Sequence, residues 1–479
     1  MRTIVWMMGL AAVVVAGVEC KRANGAYCDD ARPCPSGFAC DVAARECHSS
    51  LLSGSDLAGI SLDMAGCNCS NPTPICVAMQ CVSCLSTSDP DGACAASSPT
   101  TPYCVTSGGN AGDCIGCRDA NDCSAATAIC DGNTHMCRGC IADAECPSLV
   151  CDLTPGSTTR GQCVPAANVV YADPAGSNGD GLTPATAKRK VQDAIQQAAV
   201  MLNPPRLYVR IAAATYNEGV VVNNATVYLV GATGATIHRM NAGDASSAQG
   251  AGSLTMRNLI LTADNGNGAN CASGSTLKIY GGQLINSTQV GVYSGTGSSL
   301  TVDGAWIQNN SGGGLSVNGD FTVINNIITN NTGAGGFTQV TAGTTMVFAN
   351  NTVADNISVT AHAGVTCLDL DPGFELLNTI LYNNRLGSNV GALGETNCTG
   401  SFDANDDVSA GPQSTIDLTM QPPGFKGTMP VSPDSYHLLP TSPCISEASP
   451  LGAPDHDFDF EPRPDPKTGM PDIGADEAQ

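Results

Sequence analysis

Three apolar columns repeat along the middle of the chain and leave little choice of fold. Leu261, Leu284, Ile307, Ile328, Val353 and Leu381 follow one another at intervals of 23, 23, 21, 25 and 28 residues. Five positions before each stand Met256, Ile279, Val302, Val323, Phe348 and Leu376. Seven before stand Leu254, Leu277, Leu300, Phe321, Met346 and Phe374. The last two columns alternate at i, i+2, which is strand periodicity, and no 3.6-residue period fits them. A unit of 21–28 residues with short strands, glycine turns and no helix cannot bury its apolar face alone. Stacked on its own copies about 4.8 Å apart, it buries a continuous aliphatic ladder. The expected fold is all-β: a right-handed parallel β-helix over residues 166–450. A second strand column follows the turn at Val292, Leu315, Phe337 and Val365.

Two residues after each rung from Leu284 onward stand Asn286, Asn309, Asn330, Asp355 and Asn383, with Ser287, Asn310, Asn331, Asn356 and Asn384 beside them. Asparagine tolerates left-handed backbone and bonds local backbone groups, so these are turn residues. Stacked amides can also bond from coil to coil as a ladder. A polar ligand groove is the competing function for the same column.

Of 25 cysteines, 21 precede residue 164. Without Cys20, the first 20 fall into five groups of four. The last two groups are Cys117, Cys123, Cys130, Cys137 and Cys140, Cys146, Cys151, Cys163. Segments this short cannot bury much apolar surface, so disulfides are expected to take the place of a core over residues 20–165. Which cysteines pair is not readable from spacing. The CIGC and CRGC pairs at 114–117 and 137–140 also have zinc-ribbon spacing. Each, however, straddles the junction of two groups, and a thioredoxin-like redox pair fits no better. Cys271, Cys367, Cys398 and Cys444 form a further even set, open to pairing.

The opening MRTIVWMMGLAAVVVAGVEC has an early Arg2 and an apolar run too short to span a bilayer. Residues 1–19 read as a secretory signal, ending either in an acylated Cys20 or in cleavage near Ala16–Val18. The chain is therefore expected to be exported, to the outer surface as a lipoprotein or secreted. Membrane contact is expected only through a lipid anchor at Cys20. A net charge of −23 excludes nucleic acid as a plausible partner.

Both ends of a solenoid expose unpaired backbone and need covers. In front, Val191, Ile195, Ala198 and Leu202 lie at helical spacing and predict an amphipathic capping helix. The segment beginning YADPAGSNGDGLTPA resembles the leader of bacterial β-helix proteins. RLYVRIAAATYNEGVVV resembles their first coil, with Tyr216 and Glu218 at matching positions. Behind, YHLLPTSPCI, DFDFEPRP and PDIGADE resemble the C-terminal motif of bacterial surface β-helix proteins of the choice-of-anchor type. Ser442, Pro443, Asp457, Arg463, Asp472, Gly474 and Glu477 match, while Phe460 replaces a usual glycine and Asp476 a usual aromatic. The tail 451–479 is expected to be an acidic cap tied through Arg463. The cysteine groups resemble repeats found ahead of other domains in exported bacterial surface proteins, which implies a spacer or protein-contact arm. The β-helix resemblance implies the fold and leaves function open among polysaccharide lyases, glycosidases and non-catalytic surface proteins.

Catalytic candidates are few. A lyase acting on uronates needs cations, yet between Asn258 and Asn384 the only Lys or Arg is Lys278, with Arg257 and Arg385 flanking. An inverting glycosidase needs two carboxylates about 6.5–9.5 Å apart. Asp369 and Asp371 in VTCLDLDPGF share one face of a strand and are the candidate pair, or a calcium site, or plain surface. No cofactor other than calcium is expected. Trp306 precedes inward Ile307, so it is expected to face outward and is the candidate sugar platform. The function expected is a non-catalytic binding or structural module, for polysaccharide or another surface protein. A carbohydrate-active enzyme is the alternative.

Overall fold

The computed structural model describes residues 38–41 and 46–49 and, from 69 to 478, all but 72, 78–79, 109, 201–206, 334–338, 342–344, 359–362, 368–375, 388–394, 397–399, 407–413, 428–431 and 465–468. The chain divides into two compact units, 1–114 and 115–479.

In the first unit, Ile75–Val77 pairs antiparallel with Gln80–Val82, and a short helix, Pro90–Ser97, follows. Asp89 caps that helix by accepting from the Gly92 amide at 3.0 Å. Disulfides join Cys69 to Cys81, Cys84 to Cys104 and Cys94 to Cys114. The buried cluster is Ile75 with four half-cystines, so the cross-links are themselves the core.

The second unit opens with two further modules of one pattern. Each pairs its first cysteine with its third and its second with its fourth: Cys117–Cys130 and Cys123–Cys137, then Cys140–Cys151 and Cys146–Cys163. Sulfurs joined in this way are not zinc ligands, so the disulfide reading of these eight residues holds.

From Val169 onward the chain winds as a parallel β-helix. On the first face Val169–Ala172, Tyr208–Ile211, Thr226–Gly231, Ser253–Arg257 and Thr276–Tyr280 pair in parallel, one coil to the next. On the second, Thr236–Ala242, Ile260–Asn265, Gln283–Ile285, Trp306–Gln308, Ile327–Thr329, Thr352–Ala354 and Ile380–Tyr382 do the same. The columns read from the sequence are true registers. Leu254 pairs with Leu277, then Leu300, Phe321 and Met346. Leu261 pairs with Leu284, then Ile307, Ile328, Val353 and Leu381. Phe374 and Phe337 lie outside the described residues. A third face starts earlier than the sequence suggested, at Val220–Asn223, Ser246–Gln249 and Ala269–Cys271. It runs into the long strands Val292–Asp303 and Leu315–Ile324, which turn the corner onto the first face without a break. All three faces feed one buried aliphatic cluster from Val170 to Leu381.

Asparagines build two corners rather than one. Asn286, Asn309, Asn330, Asp355 and Asn383 hold φ between 53° and 58°, as do Asn325, Asn350 and Asn378 at the other corner, with φ of 51° to 57°. The residue after each is the ladder. Asn331 is fully buried: its Oδ1 accepts from the amide and side chain of Asn310, and its Nδ2 donates to Ile307 O and Asn356 Oδ1, all at 2.9–3.0 Å. Asn326 and Asn351 repeat this at the second corner. Burial removes the polar-groove reading for Asn310, Asn331, Asn356 and Asn384, while Asn286 and Asn309 beside them stay exposed at the turn.

The front cover is the helix Val191–Val200, which buries Val191, Ala194, Ile195 and Ala198; Leu202 lies outside the described residues. Glu218 explains its place in the first-coil motif, because its carboxylate accepts from the amides of Val191 and Gln192 at 2.7 and 3.2 Å and so closes the helix N-terminus. Tyr216 donates to Ala172 O at 2.9 Å, tying that coil to the one before. The expectation for the late cysteines needs correction. Cys271 and Cys444 are unpaired, buried thiols; burial raises both, Cys444 to about 12. Cys367 is disulfide-bonded, and Cys398 lies outside the described residues.

Candidate functional site

Trp306 does point away from the solenoid core, but it is not a platform. It is 8% exposed, packed with Ile327, Ala354, Tyr436 and Ala475, and its Nε1 donates to Thr329 Oγ1 at 3.4 Å. What covers it is the C-terminal segment, which lies along the coils as a strap. Asp369, Asp371 and Cys20 lie outside the described residues.

The strap explains the C-terminal motif. Arg463, 5% exposed, donates to the carbonyls of Asp472, Gly474 and Ala475 and pairs with Glu477 at 3.4 Å. Asp457 accepts from the amides of Asp459, Glu461 and Glu477. Burial holds both Asp457 and Asp472 up at about 6. Gly474 has φ +106°, and a Cβ there would meet Ile380 Cδ1 at 2.6 Å, so only glycine fits. Asn378 exchanges bonds with Ser449, Asn350 donates to Asp472 O, and Ala475 N donates to Thr352 Oγ1. The motif therefore grips the asparagine corner along the side of several coils. The ion pair through Arg463 was expected; the position along the side was not.

His456 clamps the strap farther along. Its Nε2 bonds Asp303 at 3.0 Å and its Nδ1 bonds Asp455 at 2.6 Å. Burial alone would push its pKa down, but the two carboxylates outweigh this and raise it.

The last cysteine module docks on the first face. Asp143 takes Arg257 Nη2 at 2.6 Å and Arg210 Nη1 at 3.2 Å, Tyr171 donates to Ser148 O, and Val150, Val164, Val169 and Val230 bury one another. Where module, coils and strap meet lies a cleft of about 470 Å³. Ile141 and Arg160 come from the module, Arg257, Asn258 and Tyr280 from the coils, and Asp459 and Phe460 from the strap. Arg257 is 9% exposed and also bonds Cys151 O, yet its Nη1 has no hydrogen-bond partner. A buried guanidinium nitrogen left unpaired costs roughly 1–3 kcal/mol, which a ligand oxygen or water removes.

Phe460 has φ +63°, so the turn that usually carries glycine is retained and a bulky residue is forced into it. Such a residue costs about 1–3 kcal/mol and persists only where its surroundings hold it. Its half-buried ring stacks on His456 with centroids 5.1 Å apart and lies over Gly304, where any Cβ would come within 2.9 Å of it. The ring forms one wall of the cleft. Phe460, Arg160 and Tyr280 were not singled out as ligand contacts from the sequence. The one available signal was a phenylalanine in place of glycine.

A family model described as the right handed beta helix region matches residues 218–394. The solenoid is a right-handed β-helix. No curated protein and no solved structure matches the chain. The match covers the coils that supply Arg257, Asn258 and Tyr280 and stops short of the module and strap that complete the cleft.

Proposed function

We propose that the chain is an exported protein, anchored at the cell surface or secreted, whose β-helix carries a non-catalytic binding site for extracellular polysaccharide. The cleft at the junction of module, coils and strap is the binding site. Its wall composition carries this reading: an aromatic ring carried on strained backbone and an unpaired buried guanidinium nitrogen line one cleft. Sugar rings stack on aromatic faces while their hydroxyl and carboxylate oxygens accept from guanidinium groups. A cleft of about 470 Å³ suits a short stretch of one chain. The seven disulfides among the described residues suit an oxidising compartment.

Titration of the intact chain with uronate and neutral oligosaccharides tests the reading. Binding is expected for the acidic series. Phe460→Gly should weaken it about tenfold, the loss of roughly 1.4 kcal/mol of aromatic contact, with little loss of fold because the backbone strain goes too. Absence of binding to either series sinks the proposal. Accumulation of unsaturated or reducing ends would replace it with the enzymatic alternative.

A further inference from the structure

A second group of side chains, on the strap itself, shares only Asp459 with the cleft described above. We propose that His437, Asp459 and Asp476 form a site for a divalent transition metal of the zinc type. One nitrogen of His437 and one oxygen from each aspartate lie within 4.8 Å of one another. His437 Nε2 stands 3.3 Å from Asp459 Oδ2, and Nδ1 stands 3.7 Å from Asp476 Oδ1.

The independent observation is the state of the histidine. His437 is 9% exposed, and its Nε2 is buried with no hydrogen-bond partner, although it faces the Asp459 carboxylate. The 3.3 Å approach to Asp459 is within ion-pair reach but makes no aligned hydrogen bond. A buried imidazole nitrogen set among carboxylates in this way suits a metal ligand. The surroundings carry excess negative charge. Asp476, Glu461 and Asp434 surround Asp459 with like charge, and only His437 opposes them. A bound divalent cation would relieve that repulsion.

The donors select the class of ion. One imidazole nitrogen with two carboxylate oxygens suits zinc, whereas calcium prefers an all-oxygen shell. Three protein ligands leave a fourth position, and the 43% exposed side chain of Asp459 marks the open side. Ligand atoms around tetrahedral zinc lie about 3.3 Å apart; the His437–Asp459 pair already has that spacing, and the remaining separations, all within 4.8 Å, close by small side-chain movements. The supports are in place. Leu438 N donates to the other Asp476 oxygen at 2.6 Å, Asp459 N is held by Asp457, and the His437 ring packs edge-on to Phe458. The three ligands come from three separate segments of the strap, so the ion would cross-link it where a disulfide does not.

Calorimetric titration of the mature, disulfide-intact chain without a histidine tag tests the site, using Zn²⁺, Ca²⁺ and Co²⁺ at neutral pH. One Zn²⁺ per chain is expected, tighter than Ca²⁺, with a rise in Tm and an intense visible Co²⁺ spectrum of tetrahedral type. Asp459→Asn and His437→Gln should each weaken Zn²⁺ about tenfold or more, while His238→Gln, on the separate exposed pair with Asp264, should change nothing. Asp459 is exposed enough that its variant folds even where His437→Gln does not. No binding by the folded wild type, equal affinity for Ca²⁺, or Zn²⁺ binding unchanged in Asp459→Asn would each overturn the proposal.

Discussion

The cysteine modules and the coils are both built from repeats, but they solve opposite problems. A module such as 140–163 has a buried cluster of three half-cystines, Cys140, Cys146 and Cys151, so covalent links hold a chain with little to bury. A coil is held by aliphatic side chains in register above and below, and among the described residues of that cluster only Cys367 is cross-linked. The difference shows where tolerance to change should lie. The modules depend on a few bonds and the coils on every rung.

The sharpest way to break that contrast is a ladder residue. Ile307, fully buried between Leu284 and Ile328, should lose about 2–5 kcal/mol on change to Ala, with the coils opening while the cysteine modules stay closed. Chemical denaturation with peptide-resolved hydrogen exchange measures both. Equal loss in modules and coils would erase the distinction. Next in size, removing the Cys146–Cys163 link by a double change to Ser should cost about 3 kcal/mol. The loss should be confined to the module and to the Asp143 latch on Arg210 and Arg257. A smaller effect is expected at the corners. Asn331→Ala leaves Ile307 O, Asn310 and Asn356 each short of a partner and should cost about 1–3 kcal/mol, read as a fall in the denaturation midpoint. If Asn331→Ala proved neutral, the amide ladder would be decoration on an aliphatic core.

These cases also mark what was legible in the sequence. The apolar columns could be read because large residues recur at a fixed spacing with an alternation of two. The early third face could not be followed, because after Val220 and Val222 its inward residues Ser246, Ala248 and Ala269 are small and carry little apolar signal, though all are fully buried. The ladder and the left-handed turn share a two-residue stretch, so composition alone did not separate their roles. Trp306 fails for another reason. Strand alternation says which way a side chain points, and says nothing of Tyr436 and Ala475, more than a hundred residues away, that come to lie over it. The cleft is the extreme case: Arg160, Arg257 and Phe460 have no local pattern in common.

The smallest effect expected concerns pH, and its sign should oppose between a module and the strap. In the module pair, hydrogen bonds from Arg138 hold Glu145 down at about 2, below its ordinary 4.5, against the opposing pull of desolvation. A depressed carboxyl contributes stability that is present above the ordinary value and lost as pH falls through the folded one. The module contact should therefore loosen from about pH 4.5 toward 2. In the strap, burial raises Asp457 and Asp472 from 3.8 to about 6, and Asp303 with Asp455 raises His456 above 6.5 against its burial. Raised groups contribute stability that is present below the ordinary value and lost as pH rises through the folded one. Asp455, lowered by His456, works the other way, but only in acid. From pH 4 to 8 the strap should accordingly loosen while the modules hold. Hydrogen exchange of residues 455–464 and 131–145 at pH 5 and pH 8, corrected for intrinsic rates, should show protection falling in the first segment alone. Equal protection of the strap at both values would mean that these groups titrate alike in its folded and open states.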